Sequence, residues 1–316
     1  MVIYMNEKIV FFGTPLFASC ILEGLISNGY NVIAVITQPD KLVGRKKILT
    51  FSPVKEVAIK HNIKVFQPIS LKNDYDFLKK LEFDLLITAA YGQFLPEAVL
   101  KMAKINSINV HGSLLPKYRG GAPIQRAIIN GEKETGITII KMVNKMDAGV
   151  MYAKEKISID DNINSTDLFL KMQIVGRDLL LKTLPAILKN DLIGEEQNED
   201  EVTFAYNIKR EEEKISFDDS AINVNNLIRG LSLTPGAYCY FKNKELKIYS
   251  ASVYELSTDD KEIGSLVLKN KNTLLVRCKD GYLKILDVQL EGKQKMPVSA
   301  FLNGLDKNEL VKEKLL

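Results

Sequence analysis

The first third of the chain alternates two kinds of segment, and that alternation narrows the folds open to it. Short runs that are almost wholly apolar, "KIVFFG" (Lys8–Gly13), "NVIAVIT" (Asn31–Thr37), "DLLITAA" (Asp84–Ala90) and "SINVHG" (Ser107–Gly112), are separated by longer mixed ones. A strand that is apolar at every position must be covered on both faces, which is the condition of a parallel sheet flanked by helices. "TPLFASCILEGLISNG" predicts a helix with Pro15 near its first turn and Gly29 as its stop. "SPVKEVAIKHN" predicts another, with Ser52 as N-cap and Pro53 in the first position. The chain therefore reads as α/β, opening with a Rossmann-like parallel sheet. "FFGTPLFA" is not G-x-G-x-x-G, so a nicotinamide cofactor is not indicated.

Further along, "GITIIKMV" (Gly136–Val143) and "VMYAKEKISI" (Val150–Ile159) read as a strand pair turning at "MDAG". Ser165–Leu188 reads as a long helix capped by Ser165. The composition then shifts: Asp191–Glu201 holds six acids and no base, and Lys189–Lys214 has too few apolar residues for a core element. It reads as an interdomain linker. After Ile215 comes one short helix, "AINVNNLIRGL". Five short alternating runs follow: "GAYCYF", "KELKIYSASVYE", "IGSLVLK", "TLLVRC" and "GYLKILDVQLE". Turn residues such as "KNK" and "KDG" separate them, and the pattern suits a small β-barrel of OB-like kind. A length of 316 residues fits two domains. The expected division is a catalytic domain over 1–189, a linker over 190–214 and an OB-like domain over 215–316.

No run of eighteen apolar residues exists, so no membrane span is expected. The opening "MVIYMNEKIVFFG" is interrupted by Asn6, Glu7 and Lys8 with no small-residue cleavage site after it, unlike a signal peptide; Met5 is a second candidate start. Cys20, Cys239 and Cys278 are odd in number and far apart, which argues for a reducing, cytoplasmic setting over a disulfide framework or zinc site. Net charge is only +4, but Pro39–Lys64 carries seven Lys/Arg against Asp40 and Glu56. Such a stretch suits a phosphate polyanion, or is simply a solvated loop.

The richest stretch is "INVHGSLLPKYRGGAPIQRAI" (Ile108–Ile128), which holds one of only two histidines. Parallel-sheet folds bind ligands at the carboxyl ends of their strands. Asn109 and His111 flank Val110 along a strand end, so their side chains point the same way. Gly112 ends the strand, and "SLLP" turns the chain with amides that can meet a ligand's polar edge. Asp147, in "MDAG", reaches the same mouth if the strand pair packs alongside. Together the three offer a carbonyl donor, an acid or base, and an orienting carboxylate. Singly, His111 reads equally as a histidine satisfying a backbone carbonyl, and Asp147 as a turn former. Their convergence, with His so scarce, favours function.

Five motifs, "FFGTPLFA", "TQPDKLVGRKK", "AAYGQFLP", "INVHGSLLPKYRGGAPIQRAI" and "MDAG", resemble the methionyl-tRNA formyltransferase family in order and spacing, from Lys8 to the C-terminus. Asn-x-His followed by Ser-Leu-Leu-Pro resembles enzymes that use 10-formyltetrahydrofolate, whatever their acceptor. "GRKK", "RGGAPIQRAI" and the appended barrel resemble the tRNA enzymes in particular. The chain departs from that pattern in lacking Trp near Pro235–Gly236 and in carrying Val150 after Gly149. The resemblance implies formyl transfer from 10-formyltetrahydrofolate to the amino group of initiator methionyl-tRNA, without a metal, a membrane or an obligate protein partner. It implies Asn109, His111 and Asp147 as catalytic residues. Ser113, Leu114, Leu115 and Pro116 would border the folate, with Phe94 and Leu95 at the pterin. Lys41, Arg45, Lys46 and Lys47 would contact tRNA. A formyltransferase acting on a nucleotide sugar or purine precursor would share the trio but has no reason for "GRKK". A formyltetrahydrofolate hydrolase would not need the barrel, and a non-enzymatic RNA-binding protein would leave the trio unexplained.

Overall fold

The computed structural model describes residues 6–44, 46–254 and 261–316; Arg45 and the candidate start Met5 lie outside the described residues. The chain divides into two compact units, the first comprising the chain through Pro123, Glu134–Ser158 and Phe169–Tyr206. Its strands are β1 (Lys8–Gly13), β2 (Asn31–Ile36), a hairpin of β3 (Lys41–Val43) and β4 (Ile48–Thr50), β5 (Lys64–Phe66), β6 (Leu85–Ala89), β7 (Asn106–His111), β8 (Glu134–Lys141) and β9 (Met151–Ser158). All but the hairpin form one sheet in the order β5-β2-β1-β6-β7-β8-β9. β5 through β7 in that order pair in parallel, and β8 and β9 add antiparallel. Ile9, Val10, Phe11 and Phe12 are fully buried, as are Leu85, Leu86 and Ile87, which is the two-sided burial that their apolar runs require. α1 (Leu16–Ser27) leaves β1 after Pro15, and α2 (Pro53–Lys60) starts with the Ser52 hydroxyl accepting from Lys55 N at 3.1 Å. α3 (Glu97–Leu100) precedes β7, α4 (Pro123–Ile129) follows the "SLLP" turn, and α5 (Ser165–Leu188) follows β9. None of the described helices is long and apolar enough to cross a membrane.

Two stretches differ from their sequence-based reading. Lys41–Thr50 is a hairpin rather than a loop, with Lys41 opposite Thr50 and Val43 opposite Ile48. Its apolar residues Leu42, Val43, Ile48 and Leu49 have β character but bury nothing, since both strands are exposed throughout. The stretch expected as a free linker is built into the first unit as far as Tyr206. Glu195 pairs with Met151 through both backbone bonds, at 2.8 and 2.9 Å, and Gln197 and Ala205 are buried. Backbone and amide hydrogen bonds anchor it, and these leave no apolar signal in the sequence.

The second unit takes Ile124–Lys133, Ile159–Leu168 and Asn207–Leu316. Two short pieces of the expected catalytic domain thus belong with the barrel. Arg229 donates from Nη1 to the carbonyls of Asp160 and Ile163, at 3.0 and 2.9 Å, and Ser165 and Thr166 both donate to Ser232 O. Its elements are α6 (Ala221–Gly230), β10 (Ala237–Phe241), β11 (Lys244–Tyr254), β12 (Leu266–Asn270), β13 (Thr273–Arg277), β14 (Tyr282–Leu290), β15 (Met296–Pro297), α7 (Val298–Asn303) and α8 (Lys307–Leu310). The sheet is antiparallel in the order β10-β11-β14-β13-β12, with β15 on β14. The C-terminus stitches its ends together: Leu316 exchanges both backbone bonds with Tyr240, and Leu315 N donates to Gly264 O at 2.9 Å. Ile228, Leu231, Ile248, Val276, Leu283, Ile285 and Leu302 fill the interior.

Candidate active site

β6 and β7 run side by side to the carboxyl edge of the sheet, Thr88 beside Asn109. The Thr88 hydroxyl donates to Asn109 Oδ1 at 2.8 Å, so the Asn109 amide nitrogen faces the other way, toward Asp147 Oδ1 at 3.5 Å. Two residues on, His111 is buried, with Nε2 3.0 Å from Tyr118 O. A carbonyl only accepts, so Nε2 carries a proton and Nδ1 is the ring nitrogen left for chemistry. Nδ1 lies 3.7 Å from Asp147 Oδ2, within ion-pair range but too far for a hydrogen bond. The trio does converge, because β8 packs antiparallel on β7 and returns the chain through the "MDAG" turn. In one respect the geometry differs from the sequence reading. The Tyr118 carbonyl, not Asp147, orients the imidazole.

Asp147 is held from three directions. Its backbone has φ 48°, in the left-handed region that Asp tolerates better than most side chains. Oδ2 accepts from Gly120 N at 2.9 Å. The Gln197 amide forks onto the carbonyls of Asp147 and Gly149 at 2.7 and 2.8 Å, and its Oε1 accepts from Arg119 Nε and Nη2 at 3.0 and 2.8 Å. Arg119 is fully buried and also reaches Glu199 Oε1 at 2.8 Å. Hydrogen bonds from Arg119, then Lys145, hold the Glu199 carboxyl at about 2, well below its ordinary 4.5. Gly149 has to be glycine, since a Cβ there would sit 1.9 Å from Lys141 O. Sequence reasoning missed Thr88, Tyr118, Arg119, Gly120 and Gln197. Tyr118, Arg119 and Gly120 lie inside the conspicuous Ile108–Ile128 stretch; Thr88 and Gln197 act through contacts far apart in the chain.

The residues expected at the folate divide. The Ser113 hydroxyl donates inward to Lys117 O at 2.6 Å, and Leu115 N donates to Thr138 Oγ1 at 3.1 Å. Ser113 and Leu115 are therefore spent on building the turn, and the Leu115 amide is not open to a ligand as the sequence suggested. Pro116 is buried with them, while Leu114 is half-buried. Leu95 belongs to the core cluster with Val10, Phe12 and Tyr91, whereas Phe94 is 60% exposed. Burial pushes the Tyr91 hydroxyl up to about 12. Lys41, Lys46 and Lys47 are exposed on the β3–β4 hairpin. Burial also raises the thiols of Cys239 and Cys278, and neither lies in the first unit.

A sheet edge presenting an amide, an imidazole and a carboxylate, with a barrel appended, defines a formyl-transferring enzyme when set beside known proteins. Residues 7–184 match the family "Formyl transferase" and 207–306 match "Formyl transferase, C-terminal domain". The methionyl-tRNA formyltransferase of Lactobacillus gasseri is 47% identical over 312 residues, covering 98% of this chain and 99% of that protein. That of Ligilactobacillus salivarius is 46% identical over 313 residues, covering 98% of each. The chain belongs to the methionyl-tRNA formyltransferase family. Among solved structures, the N-formyltransferase of Helicobacter canadensis, complexed with folinic acid and dTDP-3-aminofucose, aligns with a TM-score of 0.65 at 21% identity, covering 92% of this chain and all of that one. At that identity it shows the fold alone.

Proposed function

We propose that this enzyme transfers the formyl group of 10-formyltetrahydrofolate to the amino group of methionine on initiator methionyl-tRNA, supplying formylmethionyl-tRNA for translation initiation. The observation that carries this reading is the meeting of Asn109, His111 and Asp147 at the carboxyl edge of β7, in a chain related along nearly its whole length to methionyl-tRNA formyltransferases. The amine adds to the formyl carbon, its oxygen takes negative charge, and the bond from that carbon to folate N10 then breaks. Asn109 Nδ2, aimed by the Thr88 hydroxyl on its other end, donates to the developing oxyanion. His111 Nδ1, once protonated, adds a second donor, and Tyr118 O keeps the ring in place throughout. Asp147 and His111 receive the proton that the amine loses and deliver one to N10 as the bond breaks.

The turn at 113–116 suits a folate boundary through its shape and the half-buried Leu114, with Phe94 offering a further exposed apolar surface. Lys41, Lys46 and Lys47, with Arg45 on sequence grounds, are the cations offered to the tRNA backbone. The test is product analysis with 10-formyltetrahydrofolate and either charged initiator tRNA or no acceptor. Formylated methionine on tRNA is the expected product. Free formate in both reactions would make the enzyme a hydrolase, and no product with tRNA would turn the search to small amine acceptors.

A further inference from the structure

Beside the catalytic turn the surface carries two large aromatic side chains, each roughly half exposed. Phe204 is 48% exposed and Tyr206 62%, and their rings lie parallel within 4° at 5.5 Å between centroids. Ala205 between them is fully buried, so the two rings share the outward face of an extended segment. That segment is tied to the site by hydrogen bonds. Arg119 N donates to Thr203 O at 2.9 Å, Ala205 N to Arg119 O at 2.7 Å, and Ala122 N to Ala205 O at 2.9 Å. Tyr118 N donates to Thr203 Oγ1 at 2.9 Å, and it is Tyr118 O that holds His111. Gly120, whose N–H holds Asp147, lies so close that a Cβ on it would meet Ala205 O at 2.7 Å. Gly120 sits at φ 126°, so both the approach and the backbone require glycine. The aromatic pair therefore stands about one strand spacing, roughly 5 Å, from the backbone that positions the catalytic carboxylate.

The chemistry of the acceptor says what belongs beside that backbone. In any aminoacyl-tRNA the amino acid is esterified to the ribose of the terminal adenosine. Seven covalent bonds separate the reacting amine from the adenine ring, so the base lies within about 8 Å of the formyl-transfer centre. Aromatic side chains bind unpaired bases by stacking, which suits a base that ends a single strand. We propose that Phe204 and Tyr206 form the platform on which the terminal adenine of the acceptor stacks, so that the enzyme recognises the nucleoside attached to the methionine as well as the methionine itself. This rests on the reading of the chain as an enzyme that formylates methionyl-tRNA. It assigns a nucleobase site on the first unit, separate from the basic hairpin.

The test compares three acceptors: charged initiator tRNA, the methionyl ester of adenosine, and methionine methyl ester, which has no base. Wild-type enzyme prefers the adenosine ester to the methyl ester. In Phe204→Ala/Tyr206→Ala, kcat/KM for the adenosine ester and for tRNA falls by about tenfold or more, the size of effect a lost base–aromatic stack produces. The methyl ester rate stays within about twofold, and Phe204→Tyr/Tyr206→Phe, which keeps both rings, restores the rest. With wild-type protein alone, the methionyl ester of an abasic ribose loses the same factor, so the test survives if the alanine variant does not fold. Equal losses on both small esters, or no wild-type preference between them while tRNA is formylated normally, would overturn the platform alone. Failure of the wild type to formylate charged tRNA at all would overturn the reading on which it rests.

Discussion

The catalytic turn and the β3–β4 hairpin both project from strand ends of the same unit, and they are built in opposite ways. Asp147 has its carboxylate held by Gly120 and its backbone held by Gln197, which is itself fixed by a fully buried arginine. His111 has one ring nitrogen committed to Tyr118 O. In the hairpin, Lys41, Leu42 and Val43 face Thr50, Leu49 and Ile48, and all six are exposed. Bond-making demands fixed positions, because small displacements near a reacting centre are expensive. Gripping a long polyanion demands only reachable charge and surface that gains contacts on binding. We propose that the braced turn carries the chemistry and the hairpin captures substrate, and each variant below either sharpens or breaks that division.

The largest effect should come from the trio. His111→Ala or Asp147→Ala should lower kcat by about a hundredfold or more, since proton transfer and oxyanion stabilisation are each worth that much. Folate affinity, read by equilibrium fluorescence, should stay within about twofold, because neither group is assigned to folate binding. A large rise in the folate Kd instead would move these residues out of the chemistry and into the pocket.

Next comes the brace. Gln197→Ala removes the fork onto the carbonyls of Asp147 and Gly149 and strips a partner from buried Arg119. Unsatisfied buried groups of this kind destabilise by about 1–3 kcal/mol each, so the melting temperature should drop. Turnover should fall by about tenfold through misplacement of Asp147, with the tRNA KM little changed. Full activity in a folded Gln197→Ala enzyme would show that the turn holds itself.

Smaller still is the hairpin. Lys46→Ala/Lys47→Ala should leave the melting temperature unaltered, because both side chains are exposed. It should raise the tRNA KM several-fold and reduce the steepness of its salt dependence by about one to two in log–log slope. An unchanged salt response would make the hairpin a plain surface feature and weaken the case for a tRNA acceptor.

The smallest effect is on acid stability. A carboxyl whose folded pKa is lowered stabilises the fold above its unfolded pKa and loses that contribution as the pH falls toward the folded one. Glu199, ordinarily near 4.5 and held at about 2 by Arg119 and Lys145, should thus give wild type an edge over Glu199→Gln that is complete above about pH 4.5 and gone near pH 2. Its exposure keeps that edge small. Melting curves of the two proteins across that window would show it, and parallel curves would deny the pairing in solution.

What could be read in advance follows the same division. Strands such as Ile9–Phe12 and Leu85–Ile87 announce themselves because two-sided burial excludes polar residues. Asn109 and His111 were legible because a strand's alternation puts them on one face, and Asp147 because "MDAG" closes a strand pair that had to pack somewhere. The brace was not legible. Gln197 meets Asp147 across fifty residues of sequence, and one glutamine among acids carries no periodic signal. The hairpin read as a loop because strands that bury nothing leave no hydrophobic alternation to find. The amides of the 113–116 turn read as open to a ligand, yet the Leu115 amide and the Ser113 hydroxyl are spent inside the protein, since a sequence does not say whether a polar group is already satisfied by another residue of the fold.

The most direct measurement is single-turnover formylation by rapid quench, with 10-formyltetrahydrofolate and charged initiator tRNA both saturating, in wild type, His111→Ala and Lys46→Ala/Lys47→Ala. Saturation removes differences in capture and leaves the chemical step. A braced turn that makes bonds and a hairpin that only captures substrate predict His111→Ala slower by about a hundredfold or more and the hairpin variant within about twofold of wild type. A His111→Ala enzyme that keeps pace with wild type, or a hairpin variant as slow as His111→Ala at saturation, would contradict it.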